Sequence, residues 1–189
     1  TVRTEGLKGG VKYWDGQFDD ARLALALART AASHGALLVN YCPARELIHE
    51  GGRVAGLVCE DVESGRRFRV RARSVVNATG VWVDDLRQMD GEAIGRPVKP
   101  IVAPSQGVHI VVDREFLPAD HALMVPKTAD GRVLFAVPWL GKLILGTTDS
   151  PRQDVVREPE PFREEVDFIL QESARYLTRA PRAADIRSI

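Results

Sequence analysis

His109, in the run SQGVHIVVD, and the closing residues Thr147, Thr148 and Asp149 of the run KLILGTTD could act on a small polar molecule. Histidine exchanges a proton near neutral pH, so His109 can serve as a general base. Strand alternation puts Val108, Ile110 and Val112 on one face and His109 with Val111 on the other. A hydrogen-bonded structural histidine suits that place equally. Threonine hydroxyls donate and accept, so Thr147 and Thr148 can offer a floor to a polyol or a phosphate. A Thr or Asx turn capped by Asp149 would end a strand in the same way. A third stretch, VVNATG, closes an apolar run with small residues. Ala78, Thr79 and Gly80 could then bring backbone close to a ligand at the C-terminal edge of a sheet, with the next helix aimed at anionic groups. A tight strand-to-helix turn would use the same residues.

Other chemistries find no carrier. His-x-His, Cys-x-x-Cys and His-Glu-x-x-His patterns are absent from the sequence, so no metal site is expected. There is no Gly-x-Ser-x-Gly elbow, and the spacing of Ser105, His109 and Asp149 supports no triad. Neither Gly-x-Gly-x-x-Gly nor a Walker loop occurs, and GGRVAG reads as a hairpin turn. Lys plus Arg (26) balance Asp plus Glu (26), and no basic stripe carries aromatics, which argues against nucleic acid. Cys42 and Cys59 match no zinc or redox spacing and point to a reduced, intracellular setting. With 44% apolar and 28% charged residues the 189-residue chain should fold, as one large domain or two small ones. Its apolar runs are too short to span a membrane. TVRTEGLKGG is no signal peptide, and a start without Met suggests a piece of a longer protein.

These residues need elements to position them. DDARLALALARTAASH, residues 19–34, predicts a helix: Asp19 and Asp20 suit its cap and first turn, Leu23, Ala26, Leu27 and Ala31 share a face, and Gly35 stops it. ALLV follows as a buried strand. ARELIHE and RVAGLVCEDV flank Gly51-Gly52 as a hairpin. ESGRRFRVRA adds a third strand in which Phe68, Val70 and Ala72 alternate with arginines, giving a small antiparallel sheet with one wet face. SVVNATG reads as a short strand and VWVDDLRQM as a short helix. RPVKPIVAP, SQGVHIVVD, ALMVP, RVLFAVPW and KLILGTTD are five strands of a second antiparallel sheet, with a tip at Leu140-Gly141 and a free edge at Pro138. SPRQDVVREPEP is a linker, and FREEVDFILQESARYL a helix with Phe162, Val166, Ile169, Leu170 and Leu177 at apolar spacing.

Taken in order, GGVKYWDGQFDDARL, NATGVWVDDLRQMD, QGVHIVV, GRVLFAVPW and GTTD resemble the FAD-dependent (aerobic) glycerol-3-phosphate dehydrogenase family along nearly the whole chain. The resemblance implies an α/β flavoprotein, α+β in this piece. Residues 15–90 would be part of an FAD-binding Rossmann-like domain with a small antiparallel sheet. Residues 94–150 would form a mostly antiparallel substrate-binding sheet with 1–14 as an added strand, and 151–189 a linker and C-terminal helix. The implied reaction takes hydride from C2 of sn-glycerol 3-phosphate to FAD, gives dihydroxyacetone phosphate and passes electrons to quinone. By the matching motifs, His109 is the base, Thr148 hydrogen-bonds the substrate and Thr147 stands close behind. Ala78, Thr79 and Gly80 approach the flavin by backbone, and Ala44 meets the adenosine half. The family's Gly-rich fingerprint would precede this piece and its Gly-x-Arg-Pro segment would follow DIRSI, so the isolated piece is expected to be inactive. The implied location is cytoplasmic, with peripheral contact on the inner face of the cytoplasmic membrane through parts not present here. A flavin oxidase of another small substrate, with oxygen as acceptor, and a non-catalytic folded module are the alternatives.

Overall fold

Each strand of this chain exists where its backbone finds a partner, and the partners fall in two separate groups. The computed structural model describes residues 2–128 and 130–189. It divides into two units: one is Gly10–Ile101, the other Val102–Ile189 with the residues up to Gly9.

In the first unit, helix α1 (Asp20–Ser33) starts where the Asp19 side chain accepts the Arg22 backbone N–H at 2.9 Å and stops before Gly35, whose φ is +89°. Strands β1 (Ala44–Glu50) and β2 (Arg53–Glu60) turn through Gly51 and Gly52 at φ +57° and +77°, the left-handed pair that a two-residue hairpin of this hand requires. Strand β3 (Arg67–Arg71) completes a three-stranded antiparallel sheet. Ile48 and Cys59 are buried in it. After a 3₁₀ turn (Gly80–Trp82), helix α2 (Val83–Ala93) is tied to β1 by His49 Nε2 and Asp90 Oδ1 at 2.8 Å.

Three expectations for this unit are corrected. ALLV and SVVNATG are not strands: residues 36–39 and 74–79 are irregular, and Leu37 and Val76 are 90% and 84% exposed. RPVKPIVAP is irregular until Ser105. Apolar composition alone does not make a strand; a ladder partner does, and among the described residues no β-ladder includes these runs. The third correction is the single wet face. Every residue of β3 is exposed, Phe68 and Val70 among them.

The second unit holds the larger core. Strands β4 (Ser105–Gln106), β5 (His109–Asp113), β6 (Leu123–Val125), β7 (Leu134–Trp139), β8 (Lys142–Gly146) and β9 (Ser150–Pro151) precede helix α3 (Arg163–Tyr176). The order β5-β8-β7-β6 makes one antiparallel sheet, and β4 pairs separately with β9. The expected tip is present: Leu140 and Gly141 have φ +46° and +77°. Pairing with β6 reaches only Ala136, so a missing N–H at Pro138 interrupts no ladder bond to β6. Ile110, Val112, Leu143 and Leu145 are fully buried on one face, and α3 covers them with Ile169 and, at its end, Leu177. Residues 2–14 do not add a strand to this sheet. Instead Val2 bridges Leu177, and the Arg3 N–H donates to Tyr176 O at 2.8 Å.

The outer edge of β5 is covered by the chain's last residues: Val111 N–H donates to Ser188 O at 2.9 Å and Arg187 N–H to Val111 O at 2.8 Å. Asp113 fastens this edge by accepting from Arg187 Nε at 3.0 Å and Lys142 Nζ at 2.7 Å. The Arg187 bond, then the Lys142 bond, hold the Asp113 carboxyl down at about 2. An unfolded aspartate titrates near ~3.9, so the unfolded chain takes up this proton first as pH falls. The Asp113 contribution is therefore complete above about pH 4 and lost toward pH 2. Asp113→Asn should flatten the loss of stability across that window in urea melts; an unchanged acid profile would mean that the fork does not hold the edge.

Candidate functional site

The β4–β5 turn sets the geometry around His109. Gln106 pairs with Ser150, and His109 pairs with Gly146. Two residues, Gly107 and Val108, thus face three, Thr147 to Asp149, which is the count of a β-bulge. Bulges re-aim side chains, and here His109 stands exposed at its border while Val108 and Ile110 stay buried, as alternation requires. Gly146 is the seat of the ring: a Cβ there would lie 2.4 Å from His109 Cδ2. At Gly107 a Cβ would meet Thr147 Oγ1 and Thr148 O, both at 3.0 Å. The two glycines therefore let the strand ends close on each other. His109 opens on a cleft of about 130 Å³ whose walls include Gln106, Gly107, Pro159, Pro161 and Ile189, and among the described residues it is the only titratable side chain lining it.

Beneath the cleft the bulge rests on a carboxylate. Thr148 is 2% exposed; its Oγ1 accepts the Val108 N–H at 3.0 Å and donates to Glu165 Oε1 at 3.0 Å. Glu165, on the first turn of α3, also accepts from Ser150 Oγ at 2.8 Å, Gln106 Nε2 at 2.8 Å and the Phe162 N–H at 2.9 Å. Burial pushes its carboxyl up, but the bonds from Phe162, Ser150, Gln106 and Thr148 outweigh burial and leave it below the usual range. Gln106 is filled as well. Its Nε2 reaches Glu160 O at 2.9 Å besides Glu165, and its Oε1 accepts from Arg152 at 2.6 Å.

One sequence expectation changes here. Thr148, expected at the substrate, is buried in this structure and its hydroxyl donates to Glu165 Oε1. Asp149 is not the turn cap; it is exposed, and the side chain that closes this region comes from Glu165 in the following helix. Thr147 is half-buried, with its hydroxyl on Thr148 O at 3.0 Å. Glu165 and Gln106 escape the sequence reading. A Glu three residues after the helix cap is half of a capping box, the one signal available, and Phe162 at the cap position conceals it.

The remaining named residues lie in the other unit. Ala44 is half-buried at the head of β1, opposite Cys59. Ala78 is exposed and Thr79 half-buried. Gly80 takes φ +60°, and a Cβ there would meet nothing within 4 Å, so glycine serves the backbone angle at this position. Asn77, also unforeseen, shapes this turn: Nδ2 donates to Val83 O at 2.9 Å and Oδ1 accepts the Thr79 hydroxyl at 2.8 Å. Small residues at 78–80 suit a cofactor approached by backbone. The first turn of α2 carries Asp84 and Asp85, so a phosphate is a poor fit there. Among the described residues no cluster of His, Cys, Asp and Glu could hold a metal ion.

Comparison with known proteins places the chain in a family. The family model described as FAD dependent oxidoreductase matches residues 1–188. The mitochondrial glycerol-3-phosphate dehydrogenase of Rattus norvegicus is 44% identical over 183 residues, 94% of this chain and 24% of the relative. A probable glycerol-3-phosphate dehydrogenase of Encephalitozoon cuniculi is 36% identical over 96% of this chain and 29% of its own length. The crystal structure of the glycerol-3-phosphate dehydrogenase from Bacillus halodurans, complexed with FAD, superposes with a TM-score of 0.86 at 33% identity, covering 99% of this chain and 37% of that one. The chain thus spans about a quarter of the length of these curated relatives. The mixed helix and antiparallel-sheet fold is that of an FAD-dependent oxidoreductase.

The seat beneath His109 can be tested directly. Gly146→Ala should force the ring off the strand and cost about 1–3 kcal/mol, as overpacking does. Thermal melts would show it, and a wild-type melting temperature would mean that the ring does not pack on Gly146.

Proposed function

The chain belongs to the FAD dependent oxidoreductase family, and on that footing we propose that it is an internal segment of a flavoprotein that oxidises sn-glycerol 3-phosphate at C2 to dihydroxyacetone phosphate. The observation that carries this reading is His109: an exposed histidine, seated on a glycine at a bulge, and the one titratable side chain on its cleft among the described residues. Bound FAD supplies the two-electron acceptor. His109 takes the proton of the C2 hydroxyl, because C2 becomes a neutral ketone on giving up its hydride only if its oxygen also gives up its proton. Thr147 offers its hydroxyl oxygen to the substrate, and Thr148 serves it indirectly by holding the bulge. In the other unit, the backbone at Ala78, Thr79 and Gly80 takes the cofactor, with Ala44 on its adenosine side.

For the whole protein the reading extends to quinone as electron acceptor and to a peripheral position on a membrane surface. Among the described residues no helix is long and apolar enough to cross one.

In the full-length enzyme His109→Ala should lower turnover of glycerol 3-phosphate by roughly 10²–10⁴, the range for loss of a general base, with flavin content unchanged. The check is steady-state kinetics alongside the flavin absorbance per protein. Turnover within a few-fold of wild type would remove the base from His109 and leave it a packing residue on Gly146.

A further inference from the structure

The bulge that aims His109 is not held by its own backbone. At Val108 the regular ladder has ended, and the N–H finds its acceptor in a side chain, Thr148 Oγ1. A threonine hydroxyl can turn about χ1, so this acceptor stays in place only if its own proton has a fixed destination. That destination is Glu165 Oε1. The same carboxylate fixes the other limb of the bulge through Gln106 and the return strand through Ser150. Glu165 is 4% exposed and does not line the cleft, so its buried charge is met by these hydrogen bonds.

We propose that Glu165 is the positioning residue of this site: through Thr148 and Gln106 it sets the bulge whose border residue is His109. The catalytic consequence rests on the reading of His109 given above; the structural one does not. The chemistry requires a carboxylate. Four donors converge on its two oxygens, and glutamine would turn one oxygen into a donor facing donors. Gln106 cannot invert its amide to compensate, because Arg152 already occupies its oxygen.

The test uses the full-length flavoprotein with Glu165→Gln, Thr148→Val and the double variant. Misplacing a base acts on the transition state rather than on substrate affinity, so kcat should fall roughly 10- to 100-fold while KM and flavin content stay close to wild type. Because the proposal runs through Thr148, the double variant should be no slower than the slower single one. Hydrogen–deuterium exchange should quicken at residues 106–109 in each variant. Should Glu165→Gln fail to fold, Thr148→Val, which leaves the other three donors on the carboxylate, carries both readouts. Wild-type kcat together with a lowered melting temperature would reduce Glu165 to a helix cap and overturn the proposal, as would effects of the two substitutions that multiply. Protected exchange at 106–109 would overturn it whatever the kinetics. If His109→Ala proves harmless while exchange at 106–109 quickens, the reading of the reaction fails and the positioning role of Glu165 stands.

Discussion

The Glu165 carboxylate is the constraint on which the sheet end, the start of α3 and the cleft all depend. A buried charge must be solvated by dipoles, and each oxygen here receives two hydrogen bonds. Those donors come from four places in the chain: Gln106 before the bulge, Thr148 and Ser150 after β8, and the backbone at Phe162. One side chain thereby does three jobs. It caps a helix, joins β4 to β9, and supplies a fixed destination for a threonine that stands in for the missing ladder. Arg152 closes the arrangement from outside, with its guanidinium on Gln106 and over the Phe162 ring at 4.7 Å.

That hub explains why so much of the second unit is legible in the sequence and why its centre is not. Alternation in HIVVD, the strand at LFAVPW, the Leu-Gly tip and the proline near an edge are local signals, and each is realised where it is read. The exposed face of His109 follows from period two alone. Glu165 and Gln106 cannot be found that way, because their meaning lies in partners 59 residues apart in sequence. Thr148 stands out for the right reason, a hydroxyl at a strand end, but a sequence does not say whether a hydroxyl faces a cleft or a carboxylate. Gly146 reads as the end of a strand; that a Cβ there would strike the His109 ring is a fact of the paired strand.

In the first unit the balance is reversed. Helix α1, the Gly51-Gly52 hairpin and α2 are readable from caps, turn residues and periodicity. Two apolar runs are not, for a physical reason. Leu37, Leu38 and Val39 have the composition of a buried strand, but composition is only a demand for a partner. Strand identity is a property of the pair, and pairing is the one thing a single run cannot encode.

The exposed stretch at residues 36–39 has a colloidal consequence. An uncharged, apolar run without proline and outside any ladder is the kind of segment that recruits the same segment of a second molecule. Opposing that recruitment falls to long-range repulsion, and a formal net charge of +0 at pH 7 supplies none. Concentration is therefore a variable that governs how this chain is kept in solution by itself.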